Sequence, residues 1–194
     1  MGMSRQRASK GVRIIGGKWR GRRVSVPERA SVRPTPDRVR ETLFNWLTDM
    51  LPGARCLDLF AGTGVLGLEA LSRGAAEAWL IERDPLLVQA LRELAATLGS
   101  DARIVQGDAL QILSQPPAEP FDVVFADPPY AMDLGGILRR LPAWVGHEHL
   151  IYVERNAPVG APAAADLTGS LPGAAVRKQG RAGRVRYGLL TLQK

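Results

Sequence analysis

The sequence predicts an α/β protein: an open, mostly parallel sheet with helices on both faces and an antiparallel pair at its end. Three observations carry this. After Pro52-Gly53, short apolar runs alternate with helical patterns, and such alternation builds parallel strands joined by crossover helices. The final segment breaks the rhythm, since residues 174–179 and 184–193 flank Gly180-Arg181-Ala182-Gly183 and read as a hairpin. The composition, 45% hydrophobic and 23% charged over 194 residues, is that of one globular domain plus a small extension.

Taken in order, residues 1–11 are a basic tail without periodicity and are expected to be disordered. Residues 12–32 form a basic β-hairpin extension. V-R-I-I leads into Gly16-Gly17-Lys18-Trp19-Arg20-Gly21, R-R-V-S-V-P returns, and Pro27 ends the strand. Trp19 is expected at the tip, among Arg13, Lys18, Arg20, Arg22 and Arg23, a pattern suited to phosphate contact and base stacking. The main domain spans 33–194. It opens with a helix for which Thr35 is the expected N-cap, Pro36 the first helical residue and Asp37 a complement to the dipole. Val39, Leu43, Trp46 and Leu47 line its inner face, leaving Arg38, Arg40 and Glu41 for the other side. Strands follow at 55–60, 77–82, 102–106, 121–126 and 149–154, with helices near 65–73, 85–98, 108–114 and 134–141. An Ala/Pro/Gly-rich connector fills 156–173, and no repeat is present.

Charge adds a functional constraint. The chain carries +7, with twelve Lys and Arg against two acids in residues 1–40, and six basic residues and no acid from Arg177 onward. A neutral-to-acidic body with two basic ends suits a polyanion lying across both. Arg33, Arg40, Arg184 and Arg186 join the residues of the extension as candidate contacts. No apolar run reaches the roughly 18 residues of a membrane span. The basic N-terminus lacks the apolar stretch of a secretory signal. The lone cysteine, Cys56, lies in the apolar run R-C-L-D-L-F and reads as core, and one thiol without a partner suits a cytoplasmic protein.

The chemistry concentrates where strands end. In open α/β sheets, ligands bind beyond the carboxyl ends of strands. Asp58 lies in the first strand, Glu82 ends the second, Asp108 follows the third and Asp127 follows the fourth. Gly62-Thr63-Gly64-Val65-Leu66-Gly67 then satisfies G-x-G-x-x-G between a strand and a helix. A dinucleotide, another nucleoside cofactor or close packing alone would each fit, and Glu82 can take ribose hydroxyls in either kind of cofactor. Asp58 separates them: a carboxylate there opposes a pyrophosphate but welcomes the ammonium and sulfonium of S-adenosyl-L-methionine. Asp108 either caps a helix or meets the adenine amine beside the Ala109 N–H.

Phe121 to Tyr130 reads F-D-V-V-F-A-D-P-P-Y. The lone pair of an exocyclic base amine is delocalised into the ring, and two acceptors gripping its hydrogens pull the nitrogen toward tetrahedral geometry. The Asp127 carboxylate and the Pro128 carbonyl can be those acceptors. Pro128 and Pro129 have fixed φ and no N–H, which stiffens the loop. Tyr130 can stack on a base drawn out of its helix. A plain proline turn would explain the prolines but gives Asp127 and Tyr130 no task.

D-L-F-A-G-T-G followed by D-P-P-Y on an alternating chain resembles the class I amino-methyltransferases acting on adenine N6 or guanine N2. R-I-I-G-G-K-W-R-G-R and R-P-T-P-D-R-V-R-E-T-L-F-N-W-L resemble the bacterial methyltransferases of guanine N2 in 16S ribosomal RNA, over about Val12 to Tyr130. The resemblance implies a Rossmann-like, seven-stranded sheet with the last strand antiparallel. It implies S-adenosyl-L-methionine held by Asp58, Phe60, Gly62, Gly64, Glu82, Arg83, Asp108 and Ala109, with Arg38 closing one side. Asp127 to Tyr130 would hold the target amine, with ribosomal RNA, as assembled small subunit or late precursor, the partner of a monomer that needs no metal. The rivals are adenine-N6 methylation of DNA or RNA, a NAD-dependent oxidoreductase, and a non-catalytic RNA-binding module. For hydride transfer only His147 and His149 are at hand, crowded at the start of one strand.

Overall fold

The structure is a computed structural model and describes residues 11–24, 35–129, 132–156, 167–168 and 171–193. The tail at 1–10, Arg33, Tyr130 and most of the connector lie outside them. In the N-terminal extension, β1 (Val12–Arg13) pairs antiparallel with β2 (Arg23–Val24) around a 3-10 turn at Gly17–Trp19. Among the described residues, seven strands then form one sheet: β3 (Arg55–Asp58), β4 (Glu77–Glu82), β5 (Arg103–Gln106), β6 (Phe121–Ala126), β7 (Val145–Asn156), β8 (Ala174–Ala182) and β9 (Val185–Leu192). Their order is β5-β4-β3-β6-β7-β9-β8, and β9 runs antiparallel to both of its neighbours. The chain enters at β3, steps outward to β5, and returns to β6 on the other side of β3. A topological switch point therefore opens between β3 and β6, and there the two connections diverge and leave a crevice.

The helices are α1 (Asp37–Trp46), α2 (Val65–Ser72), α3 (Pro85–Leu98), α4 (Ala109–Ile112) and α5 (Leu134–Leu138). Leu43, Phe44, Leu68, Leu91, Phe125 and Tyr152 fill the core on one face of the sheet. Leu57, Val124, Leu138, Trp144 and Ile151 fill the other. Cys56 is buried within the first of these, as its apolar neighbours implied, and burial pushes its thiol up to about 12. Among the described residues, no helix is long and apolar enough to cross a membrane.

Local boundaries depart from the sequence reading where packing overrides it. The cap of α1 is Pro36, in extended conformation, and Thr35 turns its hydroxyl to Glu154 instead. The C-terminal hairpin does not loop over 180–183: β8 runs on to Ala182 and turns at Gly183, φ +60°. Gly180 is retained in the strand because a Cβ there would lie 2.5 Å from the Tyr187 ring.

The extension is clamped to the domain. Ser72 Oγ accepts the Trp19 N–H (2.9 Å) and donates to the Gly16 carbonyl (2.6 Å), while the Ile15 N–H donates to Glu69 Oε2 (2.8 Å). Gly17, at φ +73°, admits no side chain, since its Cβ would fall 1.7 Å from the Ser72 carbonyl oxygen. Trp19 is consequently buried, only 8% exposed, and corrects the expectation of a stacking platform at the tip. Arg40 also corrects its expected place on the outer side of α1, for it is fully buried. It donates to Asp37 (2.6 Å), to the Arg13 carbonyl (2.9 Å) and to the Thr35 carbonyl (3.3 Å), and stands 3.6 Å from Glu69. A buried guanidinium with five donors satisfies itself by joining three segments at once. Arg186, expected to reach RNA, is likewise buried, on the strand opposite Arg155.

Candidate active site

The crevice at the switch point collects the acids the sequence placed at strand ends. Asp58 ends β3, and its Oδ2 accepts the Gly67 N–H from the first turns of α2 at 3.2 Å. The loop between them folds through two left-handed glycines, Gly62 (φ +52°) and Gly64 (φ +75°). Positive φ at both is why the motif needs glycine. Gly67 serves close packing: a Cβ there would lie 2.7 Å from Leu80. The Glu82 carboxylate is pinned, with Oε2 on the Gly62 N–H (2.9 Å) and Oε1 on the Asp84 N–H (2.9 Å). Asp108 is the N-cap of α4, its Oδ1 accepting from Leu110 (2.9 Å) and Gln111 (3.2 Å), and Ala109 behind it is buried. Phe60 is half-buried, packed against the core, while Arg38 and Arg83 are exposed.

Across the switch point, Asp127 and Pro128 follow β6. Asp127 is half-buried, Pro128 buried and Pro129 exposed. The Pro129 carbonyl is taken by the Met132 N–H (2.8 Å), which fixes the far end of the ledge. Register shows which groups share a face: Asp58 pairs with Phe125, Phe125 with Tyr152, and Ala126 with Val153. Alternate residues of a strand point the same way, so Asp58, Asp127 and Glu154 line one side of the sheet. Glu154 was absent from the sequence reading, although an acid closing the apolar run L-I-Y-V-E repeats the pattern of the other strands. It is buried, and Tyr152 donates its hydroxyl to Glu154 Oε2 at 2.7 Å.

Three carboxylates in one buried crevice disturb each other. Burial pushes Asp58 up to about 7, against the Gly67 and Phe60 N–H groups that hold it down, and nearby Glu82 adds to the rise. Asp127 is raised well above the usual carboxylate range, first by burial and then by the charges of Glu154 and Asp58. Burial raises Glu154 as well, opposed by the hydroxyls of Tyr152 and Thr35. A cationic ligand would relieve all three, so the crevice fits S-adenosylmethionine better than a phosphate-bearing nucleotide. His149 offers no hydride chemistry: it is buried, its Nε2 accepts the Leu192 N–H (3.0 Å), and its Nδ1 faces the Gly146 carbonyl (2.9 Å). His147 is exposed. Among the described residues, no cluster of His, Cys, Asp and Glu is placed to hold a metal ion.

Comparison with known proteins agrees with this geometry. The family model described as Conserved hypothetical protein 95 matches residues 12–187. Ribosomal RNA small subunit methyltransferase D of Escherichia coli strain K12 is 49% identical over 155 residues, which cover 78% of each chain. The solved structure of yhhF from Escherichia coli superposes with a TM-score of 0.81 at 41% identity, over 94% of this chain and 98% of that one. SMU.776, solved in complex with SAH, shares the fold at a TM-score of 0.65 and 13% identity, over 78% of this chain and 48% of that one. With the match running through the extension and the sheet alike, the chain belongs to the ribosomal RNA small subunit methyltransferase D family of S-adenosylmethionine-dependent methyltransferases.

Proposed function

We propose that this protein transfers a methyl group to the exocyclic N2 amine of one guanine in 16S ribosomal RNA. It acts as a cytoplasmic monomer on the assembled small subunit or a late precursor. The observation that carries the reading is the Asp127-Pro128 ledge, set on β6 directly across the switch point from the Asp58–Gly67 loop on β3. When bound, S-adenosylmethionine supplies an electrophilic methyl group on a sulfonium. Asp58 meets the ammonium of its amino-acid tail, Glu82 the ribose hydroxyls, and Asp108 with the Ala109 N–H the adenine. Phe60, Gly62, Gly64 and Arg83 shape the cradle, and Arg38 closes one side.

The protein's part in the chemistry is mostly positioning, for which oriented groups supply roughly 7–11 kcal/mol. Asp127 and the Pro128 carbonyl grip the two hydrogens of the amine, turning its lone pair outward, and Asp127 offsets the positive charge that grows on nitrogen. Pro129 stiffens the ledge, and Tyr130 stacks on the displaced base. RNA approaches over the exposed side chains of Arg13, Lys18, Arg20, Arg22 and Arg23 on the extension and of Arg184 at the β8–β9 turn. With Trp19 turned inward, this surface grips phosphates and leaves base recognition to the pocket.

The test is incubation with labelled S-adenosylmethionine and separate samples of free ribosomal RNA, small subunits and DNA, followed by nucleoside analysis. Label in N2-methylguanosine from small subunits is the expected result. Label in N6-methyladenosine, or in DNA, overturns it.

A further inference from the structure

Glu154 lies in none of the motifs, yet it is buried in the pocket and hydrogen-bonded there. On one side β7 runs beside β6, where Ala126 pairs with Val153, so Asp127 and Glu154 follow side by side on strands about 4.8 Å apart. On the other side Glu154 pairs with Tyr187 of β9. Its carboxylate takes the Tyr152 hydroxyl at 2.7 Å and also the Thr35 hydroxyl. The ionisable groups facing it are Asp127 and, beyond it, Asp58 from the parallel strands, Tyr152 on its own strand and Tyr187 from β9. From α1, Arg40 reaches the Thr35 carbonyl and spends its remaining donors on Asp37, Arg13 and Glu69.

We propose that Glu154 is a positioning residue for methyl transfer: hydrogen-bonded by the Tyr152 and Thr35 hydroxyls, its carboxylate stands against Asp127 and makes that group a stronger acceptor. This rests on the reading of the site given above. Burial raises Glu154 and the two hydroxyl donors counter that rise, while a like charge alongside raises the proton affinity of its neighbour. Asp127 is raised as this requires, with Glu154 the largest contribution after burial. A carboxylate whose proton affinity lies nearer the working pH grips amine hydrogens more firmly. It also accepts more readily the proton that the nitrogen sheds once its lone pair has formed the new N–C bond. Thr35 adds a second property: it heads α1 at the end of the segment leading from the basic extension, so the same hydroxyl ties the RNA-binding side of the molecule to the pocket.

The decisive variant is E154Q, which retains shape and hydrogen-bonding capacity but carries no charge. Methylation of small subunits is followed against pH. The acid limb of kcat is expected to move down by about one pH unit, the size of a close like-charge effect, with plateau kcat lower and KM for S-adenosylmethionine unchanged. An unmoved limb would leave Glu154 a structural residue and overturn the proposal. A readout free of turnover uses urea unfolding of E154Q, D127N and the double variant at about pH 8. Either substitution relieves the same repulsion, so the stabilisation of the double variant is expected to fall short of the sum. Additive effects refute the pairing. Wild-type protein that methylates no RNA would sink the functional reading, while the unfolding cycle would still decide whether the two carboxylates act on each other.

Discussion

Replacing Asp58 with Asn is expected to strengthen the fold while emptying the cofactor site. The carboxyl is 3% exposed, and its pKa rises from an ordinary 3.8 to about 7. Between those values the native state keeps a proton that the unfolded chain has released, so stability falls as pH rises through the window and levels off above it. Each unit is worth about 1.4 kcal/mol, so burying this carboxyl costs the fold about 4 kcal/mol above pH 7, where it is ionised. At pH 5 the cost is about 2 kcal/mol, since the native state must hold a proton that the unfolded chain has released. Asn is neutral throughout and can still accept the Gly67 N–H through its amide oxygen. Its NH2 group needs a partner of its own, a cost of about 1–3 kcal/mol, but that cost does not vary with pH. The stabilisation by D58N, read from urea unfolding, is therefore expected to be larger at about pH 8 than at pH 5 by about 2–3 kcal/mol. Calorimetry on the same variant is expected to show cofactor affinity weakened by roughly 2–5 kcal/mol, as when one partner of a buried charge pair is removed. Equal stabilisation at both pH values would refute the argument, because it would mean that Asp58 is ionised in the fold without penalty.

Three further substitutions probe separate parts of the molecule. Asp127→Ala is expected to abolish turnover while leaving cofactor affinity nearly intact, measured by single-turnover methylation and calorimetry; joint loss would place Asp127 in the cofactor site. Trp19→Ala is expected to cost about 3–5 kcal/mol in unfolding free energy, as a buried aromatic does. Arg22→Ala, by contrast, leaves stability unchanged and lowers the salt slope of RNA binding by about 1; a stable W19A with impaired stacking would restore the residue to the RNA face. Cys56, with its thiol pushed up to about 12 inside the core, is expected to resist iodoacetamide at about pH 8 until denaturant is added, and rapid labelling of the native protein would show that the core opens.

The sheet was legible because its signals are local. Strand and helix periods, the position of each acid and the hairpin ending are all written within short windows, and they place the strands along the chain and the acids at the strand ends. Burial of polar side chains is not local. Arg40 stands at helical spacing from Leu43, Phe44 and Leu47, the inner face of α1, but a charge there reads as solvent-facing unless its partner is known. Its buried acidic partner, Glu69, sits in the apolar helix V-L-G-L-E-A-L-S, and the two stand out only as a pair. Trp19 misled for the same reason, since its burial depends on Ser72, 53 residues away. Nothing local marks Glu154, because the strand bearing it carries no motif, and its meaning comes from register with Asp127.

The clamp at Arg40 has a mechanical consequence. A basic arm on a free hinge would sample many approaches to RNA and leave the pocket to sort them. Here the arm, the first helix and the helix after the glycine loop meet at one guanidinium, which fixes the basic face of the arm relative to the strand ends. On the proposed function such an arm would act as a rigid gauge, setting the distance and angle at which a target base reaches the pocket.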